Sequence, residues 1–92
     1  MLVKVRAFAG FREILGRERE LEAREGSTIA DLLGELASSN SRFKESAFDS
    51  SGRLQDYVLL MVNKKRIDPL HDLSMEMHEG DELAIFPPVA GG

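Results

Sequence analysis

Ninety-two residues, of which 42% are hydrophobic, are enough for one small domain with a single core. A net charge of −4 argues against binding to the phosphate backbone of nucleic acids and suits a basic partner surface, and the absence of cysteine excludes disulfides, thiolate metal sites and sulfur held on a side-chain thiol. The sequence contains neither a signal peptide nor a run near the roughly 20 apolar residues of a membrane span, so we expect a cytoplasmic chain without membrane contact.

The first predicted element is a half-buried strand over residues 2–8, because apolar and polar positions alternate there. Val3, Val5 and Ala7 form the apolar set and are expected to face the core. Residues 11–15 carry apolar side chains at i, i+3 and i+4 between two glycines, and this spacing predicts a short helical turn before the second strand.

A second strand is predicted over residues 17–24, where Leu21 and Ala23 alternate inward within a charged run. We expect this strand at an edge of the sheet, because its charges discourage pairing with another chain. A helix is then expected to begin at a capping box over residues 28–31, in which Asp31 replaces the usual Glu.

The main helix is predicted over residues 29–38, because apolar residues recur there at i, i+3, i+4 and i+7. The apolar stripe consists of Ile29, Leu32, Leu33 and Leu36. Gly34 interrupts the helix at a cost of about 1 kcal/mol relative to alanine, which we interpret as a close approach of the helix to the sheet. Residues 42–48 are expected to be weakly helical, with Phe43 and Phe48 packed beneath the main helix.

The second half of the chain contributes three predicted strands. Residues 57–62 form a continuous apolar run of strand length. A turn at residues 63–65 leads into a short strand at residues 66–67, which ends where a proline cannot donate to a ladder. The last strand covers residues 82–86. The irregular segment before it is expected to be held down by Leu70, Leu73, Met75 and Met77.

Two prolines, Pro87 and Pro88, follow the last strand directly. Because proline fixes φ and donates no backbone N–H, sheet pairing must stop there. Only small residues follow, and Gly91 and Gly92 have no Cβ, so they could enter a channel too narrow for any side chain. We therefore predict a domain over residues 1–87 and a flexible tail over residues 88–92 that ends in a free carboxylate. The alternative is a frayed end without function.

The C-terminal segment, residues 79–92, resembles the C-terminal signature of the ubiquitin-like sulfur carriers. Within that MoaD/ThiS family it is most similar to the small subunit of molybdopterin synthase and to the related small archaeal modifier proteins. Residues 3–8, 11–16 and 62–63 support the resemblance, which therefore spans nearly the whole chain. One departure is the turn at residues 63–64, which reads Asn-Lys where many relatives have Asn-Gly, so the turn type stays open.

The order of the elements predicts an α+β roll, with one main helix packed on one face of a mixed sheet. The resemblance sharpens this prediction to the ubiquitin-like β-grasp. In that fold the first and last strands lie side by side and parallel at the centre of the sheet. We therefore expect residues 2–8 and 82–86 to be neighbours.

The resemblance also implies a chemistry for Gly92. An E1-like enzyme would use ATP and Mg²⁺ to adenylate its carboxylate, and a persulfide sulfur donor would displace AMP to leave a thiocarboxylate. The sulfur would then pass to a pterin precursor in the large subunit of molybdopterin synthase, or the activated carbonyl would acylate lysines of target proteins. The chain would be a carrier and not an enzyme, with no stably bound cofactor or metal. The alternatives are a thiamine-type sulfur carrier and an interaction module with an inert tail.

A partner needs a surface to bind, and strand alternation indicates one. If residues 83 and 85 face the helix, Ala84 and Phe86 face outward, as Phe8 does on the first strand. In parallel neighbouring strands, Phe8 and Phe86 would then lie side by side where the tail departs, and an exposed apolar patch there would dock the carrier. The alternative is that the turn at residues 11–15 covers one or both rings.

Three further residues complete the candidate sites. Arg66, outward on the short strand, is expected at the rim of the patch, and Pro87 and Pro88 would aim the tail. His71 and His78 lie seven residues apart in a chain without cysteine, and no carboxylate is expected to be fixed as a partner of both, so they are interpreted as solvated loop residues and not as metal ligands.

Overall fold

The computed structural model describes residues 1–87, so the predicted tail at residues 88–92 lies outside the described part of the chain. In chain order the elements are β1 (Leu2–Ala7), α1 (Gly10–Leu15), β2 (Glu18–Glu22), α2 (Ile29–Ser39), α3 (Ser41–Ala47), β3 (Leu59–Val62), β4 (Lys65–Arg66) and β5 (Glu82–Phe86). Across residues 1–87, no helix combines the length and the apolar character that crossing a membrane requires.

The strands form a single mixed sheet in the order β2-β1-β5-β3-β4. The first and last strands, β1 and β5, are parallel neighbours in its middle, and the other pairs are antiparallel. The charged strand β2 lies at one edge, as the sequence predicts. The prediction of an α+β roll with central parallel first and last strands is therefore confirmed.

One hydrophobic cluster joins the sheet to the three helices. In β1 and β5 alternate residues turn toward the helices, and Val3, Val5, Leu83 and Ile85 are almost completely buried. The predicted stripe of α2 is buried against them, together with Phe11 and Leu15 of α1 and Phe43 and Ala47 of α3. The opposite face of the sheet, which we call the outer face, is therefore the one left open for other contacts.

The capping box at the start of α2 is confirmed. The Thr28 hydroxyl accepts the Asp31 amide at 3.1 Å, and the Asp31 carboxylate accepts the Thr28 amide at 2.9 Å. The interpretation of Gly34 is wrong, because Gly34 is exposed and a Cβ built there would meet nothing within 4 Å. Gly34 lies on the solvent side of a helix that is buried on its other side.

Strand β3 begins two residues later than predicted. The Val58 amide closes a turn onto the Gln55 carbonyl at 3.1 Å, so it is not available to a ladder, and Tyr57 is exposed. The first ladder pair is Leu59 with Phe86. Since Pro87 has no N–H, the partner strand cannot extend the pairing further.

The irregular segment before β5 is held down by fewer residues than predicted. Met77 is buried and Leu73 packs against the core, as expected. Leu70 is 81% exposed and Met75 is 47% exposed, so the prediction is wrong for these two. Backbone hydrogen bonds hold this segment instead, since the carbonyls of Leu73 and Met75 accept the amides of the first turn of α2.

The turn between β3 and β4 has two central residues, Asn63 and Lys64, with φ of 49° and 70°. Positive φ at both positions is the type I′ geometry that fits the twist of a two-residue hairpin. Asn63 tolerates this conformation, and its side chain bonds the Asp81 carboxylate and the Glu82 amide, each at 3.0 Å. Within residues 1–87, the Lys64 side chain makes no hydrogen bond of this kind to offset its positive φ.

We expect Lys64→Gly to raise the free energy of unfolding by about 0.5–1 kcal/mol, because glycine adopts a left-handed conformation without the Cβ clash. Urea unfolding followed by circular dichroism measures the change. Lys65→Gly is the matched control, and it should lower stability because Lys65 lies in a strand. An equal loss of stability in both variants would show that Lys64 carries no strain.

Candidate functional site

The outer face is organised into rows by the register of the strands. One row contains Glu20, Lys4 and Glu82, paired across β2, β1 and β5. The next row, two residues further along β1, contains Glu18, Arg6, Ala84, Met61 and Arg66. The third row contains Phe8, Phe86 and Leu59, at the end of the sheet where the chain leaves β5. The face thus changes from charged to apolar toward the origin of the tail.

Phe8 and Phe86 lie side by side, as the parallel pairing predicts. Their ring centroids are 4.2 Å apart and the ring planes differ by 4°, so the two rings are stacked. The Phe8 amide donates to the Ile85 carbonyl at 3.2 Å, which continues the ladder to the base of the stack. Both side chains are half-buried. We call Phe8 and Phe86 the aromatic pair.

Helix α1 uses its own aromatic residue in the core. Phe11 is buried and packs edge-on against Phe43, with ring centroids 5.5 Å apart. Both rings of the aromatic pair keep partial exposure, and their role in docking stays a prediction. Such a flat aromatic surface at the end of two central strands is suited to receive an apolar side chain from another protein.

Ala84 faces outward as expected, but it is only 6% exposed. Its neighbours in the row are Arg6 on β1 and Met61 on β3, whose side chains are longer than the methyl group of Ala84. Together with Leu59 beside Phe86, Met61 extends the apolar surface toward β3. The sequence signal for these two residues was their alternation with the buried Leu60.

Arg6 is a candidate that the sequence reasoning missed. Its guanidinium carbon lies 5.4 Å from the centroid of the Phe8 ring, within the range of a cation–π contact. The available signal was its position, two residues before Phe8 on an alternating strand. Arg6 therefore joins the aromatic pair to the charged part of the outer face.

Arg66 is exposed and faces outward opposite Met61, on the outermost strand β4. Its acidic neighbours are Asp68 and Asp72, with which it lines one shallow surface depression. Arg66 is therefore in the row next to the aromatic pair, but two strands away from Phe86. Its proposed role at the rim of a docking surface stays a prediction.

Pro87 is half-buried and lies at the base of the tail. On the helix side it lines a groove of about 440 Å³ with residues of α1 and α3 and with Tyr57. The aromatic pair lies on the other side of this chain exit. The remaining predicted site residues, Pro88, Gly91 and Gly92, lie outside the described residues.

The two histidines are exposed loop residues, as interpreted from the sequence. His71 Nδ1 lies 2.6 Å from the Asp68 carboxylate, which raises the pKa of His71 from its ordinary value and lowers the pKa of Asp68. Within residues 1–87, no group of three or more carboxylate and imidazole side chains is placed to hold a metal ion. The contact between His71 and Asp68 is therefore a local interaction within the loop.

The contact has a definite pH dependence. Because the pKa of His71 is raised in the folded protein, the contact stabilises the fold below pH 6.5, and this stabilisation is lost as the pH rises through the raised pKa. Because the pKa of Asp68 is lowered, its contribution is present above pH 3.8 and is lost as the pH falls through the lowered pKa. We expect Asp68→Asn to return the His71 pKa toward 6.5 in an NMR titration of the imidazole protons. Glu45→Gln, a carboxylate loss on α3, should leave the His71 pKa unchanged. An unchanged pKa in both variants would contradict the assignment.

The chain is similar to known proteins over nearly its whole length. The ThiS family model matches residues 5–92. The molybdopterin synthase sulfur carrier subunit of Escherichia coli is 33% identical over 99% of this chain and 100% of its own length. Small archaeal modifier protein 1 of Haloferax volcanii is 30% identical over 92% of this chain and 94% of its own. The crystal structure of SAMP1 from Haloferax volcanii has a TM-score of 0.87 at 28% identity, with both chains covered completely.

Proposed function

Since the chain belongs to the ThiS family of ubiquitin-like sulfur carriers and modifiers, we propose that its working group is the carboxylate of Gly92. An E1-like enzyme adenylates this carboxylate with ATP and Mg²⁺ and releases pyrophosphate. The outer sulfur of a donor persulfide then attacks the acyl carbon and AMP leaves, which gives an acyl disulfide. A thiol of the partner enzyme attacks the donor sulfur of this disulfide, which leaves a disulfide on the partner and releases the thiocarboxylate of Gly92. A free carboxylate is a poor electrophile, because both its charge and its resonance oppose attack, so activation must come first.

The single observation that carries the proposal is the family match, which extends through Gly92 and includes the terminal Gly-Gly. The outer face of the sheet gives the proposal further support. The aromatic pair is a half-exposed apolar surface beside Pro87, so a protein that docks there would be held next to the base of the tail. Docking of this kind would bring the carboxylate to a site from which the partner excludes water.

We propose molybdopterin synthesis as the destination of the sulfur, with the large subunit of molybdopterin synthase as the partner that uses it. The support is the 33% identity to a molybdopterin synthase sulfur carrier subunit over nearly the whole of both chains. In this proposal the chain contributes no acid, base or nucleophile of its own before activation. The chain would then be a carrier that acts in the cytoplasm as a co-substrate of partner enzymes.

Conjugation to lysines is a second candidate function. Relatives named as small archaeal modifier proteins are 30% and 27% identical over nearly the whole chain. The same acyl-adenylate serves both functions, because a lysine amine and a persulfide sulfur attack the same carbonyl carbon. The two functions differ in the bond that remains, an isopeptide bond or a thiocarboxylate.

Intact-mass analysis of the chain isolated from its source cell tests the proposal. Replacement of one oxygen by sulfur at Gly92 is the expected result for a carrier, and a Gly-Gly remnant on lysines of other proteins is the expected result for a modifier. Incubation with the E1-like enzyme of the source organism should give ATP–pyrophosphate exchange that depends on the chain. A chain with an uncut tail that shows neither modification nor exchange would contradict the proposal and favour an inert interaction module.

A further inference from the structure

We propose that Arg6 determines which partner the outer face accepts. Its guanidinium receives a carboxylate of the partner protein, and an apolar side chain beside that carboxylate rests on the aromatic pair. The inference rests on the proposed function only in taking the activating enzyme as one such partner. The chemistry of the recognised group, a carboxylate next to an apolar anchor, follows from the surface itself.

The first step is that Arg6 is only partly neutralised within the fold. The Glu18 carboxylate lies 3.8 Å from Arg6 Nε, which is longer than a hydrogen bond, and its other oxygen lies 3.9 Å from Lys4 Nζ. One carboxylate is thus shared between two cations. Arg6 Nε is buried and has no hydrogen-bond partner among residues 1–87.

The second step is the orientation of the guanidinium. Although Nε is covered, 37% of the Arg6 side chain is exposed, and the guanidinium carbon lies over the Phe8 ring. The terminal nitrogens are therefore the donors left for an incoming group. A planar guanidinium held against an aromatic ring loses little freedom when it binds a carboxylate through two parallel hydrogen bonds.

The third step is the distribution of charge on the outer face. The row next to the aromatic pair has two arginines and one glutamate, and the row beyond it has two glutamates and one lysine. Arg6 thus places a positive charge directly beside the apolar surface of a chain whose net charge is −4. Although the chain as a whole suits a basic partner, this part of its surface suits an acidic one.

Arg6 is better placed for this role than Arg66. Arg66 shares its surface depression with Asp68 and Asp72, and its charge contributes to the lowered pKa of Asp68. Carboxylates of the chain itself therefore already surround Arg66. Arg6 is also the residue in direct contact with the aromatic pair, so one partner segment can reach both features at once.

A peptide titration tests the inference without any enzyme. The 15N-labelled chain is titrated with the probe N-acetyl-Glu-Phe-Glu-amide and with its match N-acetyl-Gln-Phe-Gln-amide. We expect the acidic peptide to shift the amide signals of Phe8 and Phe86 and the Nε signal of Arg6. It should bind roughly two- to fivefold more tightly than the neutral peptide, an advantage that falls as NaCl is added.

The variants assign the preference to one side chain. In Arg6→Gln the two peptides should bind equally, and in Arg6→Lys the preference should shrink, because an ammonium lacks the planar pair of donors. Arg24→Gln is the matched control, since it removes the same charge at the far end of the sheet, and it should keep the full preference. Equal affinity of both peptides for the wild-type chain, or an undiminished preference in Arg6→Gln, would overturn the inference.

An exchange assay separates this inference from the proposed function. With the E1-like enzyme, Arg6→Gln should raise KM for the chain several-fold and leave kcat unchanged, because Arg6 acts in docking and not in adenylation. Wild-type chain that prefers the acidic peptide but supports no exchange would contradict the proposed function and leave the inference standing. Normal exchange with an unchanged KM in Arg6→Gln would remove Arg6 from docking to that enzyme and leave the proposed function intact.

Discussion

Deletion of Gly91 and Gly92 is expected to abolish adenylation and sulfur transfer and to leave the stability of the domain unchanged. The core and the strand ladders end at Phe86, so removing the last two residues takes away no contact of the described fold. The truncated chain still ends in a carboxylate, but that carboxylate belongs to Ala90, whose Cβ would meet the walls of a channel built for glycine. ATP–pyrophosphate exchange and urea unfolding measure the two effects separately.

A glycine substitution outside the tail provides the control for this deletion. Gly34→Ala adds a methyl group at an exposed helix position where nothing lies within 4 Å. It should preserve exchange and raise the free energy of unfolding by up to about 1 kcal/mol, because alanine favours a helix more than glycine does. Full exchange by the truncated chain would show that the terminal Gly-Gly is not the working group.

Phe86→Ala is expected to weaken binding to the activating enzyme by about 2 kcal/mol, a factor of roughly 30 in Kd. The substitution removes the ring that stacks on Phe8 and opens the surface beside the base of the tail. Because Phe86 is only half-buried and its strand neighbours stay in place, the domain should remain folded. Isothermal titration calorimetry with the enzyme measures the affinity, and circular dichroism checks the fold.

Two further variants make this test specific. Leu70→Ala truncates an apolar side chain that is 81% exposed but lies away from the outer face, and it should leave the affinity unchanged. The double variant Phe8→Ala/Phe86→Ala should lose less binding free energy than the two single variants lose together, because each single substitution already breaks the stack. Unchanged affinity in the Phe86 variant would place the docking surface elsewhere.

Periodicity in the sequence was sufficient to predict most of the fold. The alternation of Val3, Val5 and Ala7 and the capping box at Thr28 each reflect a local rule, so residues near in sequence decide the outcome. Predictions that depended on distant neighbours were less accurate. Leu70 and Met75 are apolar but find no place in the core, and Ala84 is buried by side chains of two other strands.

The candidate site was predictable to the same degree and for the same reason. Alternation and parallel pairing were enough to place Phe8 beside Phe86. Alternation also places Arg6 on the same face as Phe8, but its position over the Phe8 ring and its incomplete pairing with Glu18 depend on side-chain conformations and could not be predicted. The type I′ turn could not be predicted either, because position 64 holds a lysine and not the glycine that usually indicates this turn.

The position of β5 between β1 and β3 has a mechanical consequence for any partner that draws the tail into a narrow site. A pull along the axis of β5 loads the hydrogen bonds to both neighbouring strands sideways and at the same time, whereas an edge strand could be peeled away one bond after another. We therefore expect the domain to resist a pulling force applied at the C-terminal end of β5. Under the proposed function, this arrangement would keep the domain folded while a partner enzyme holds the tail.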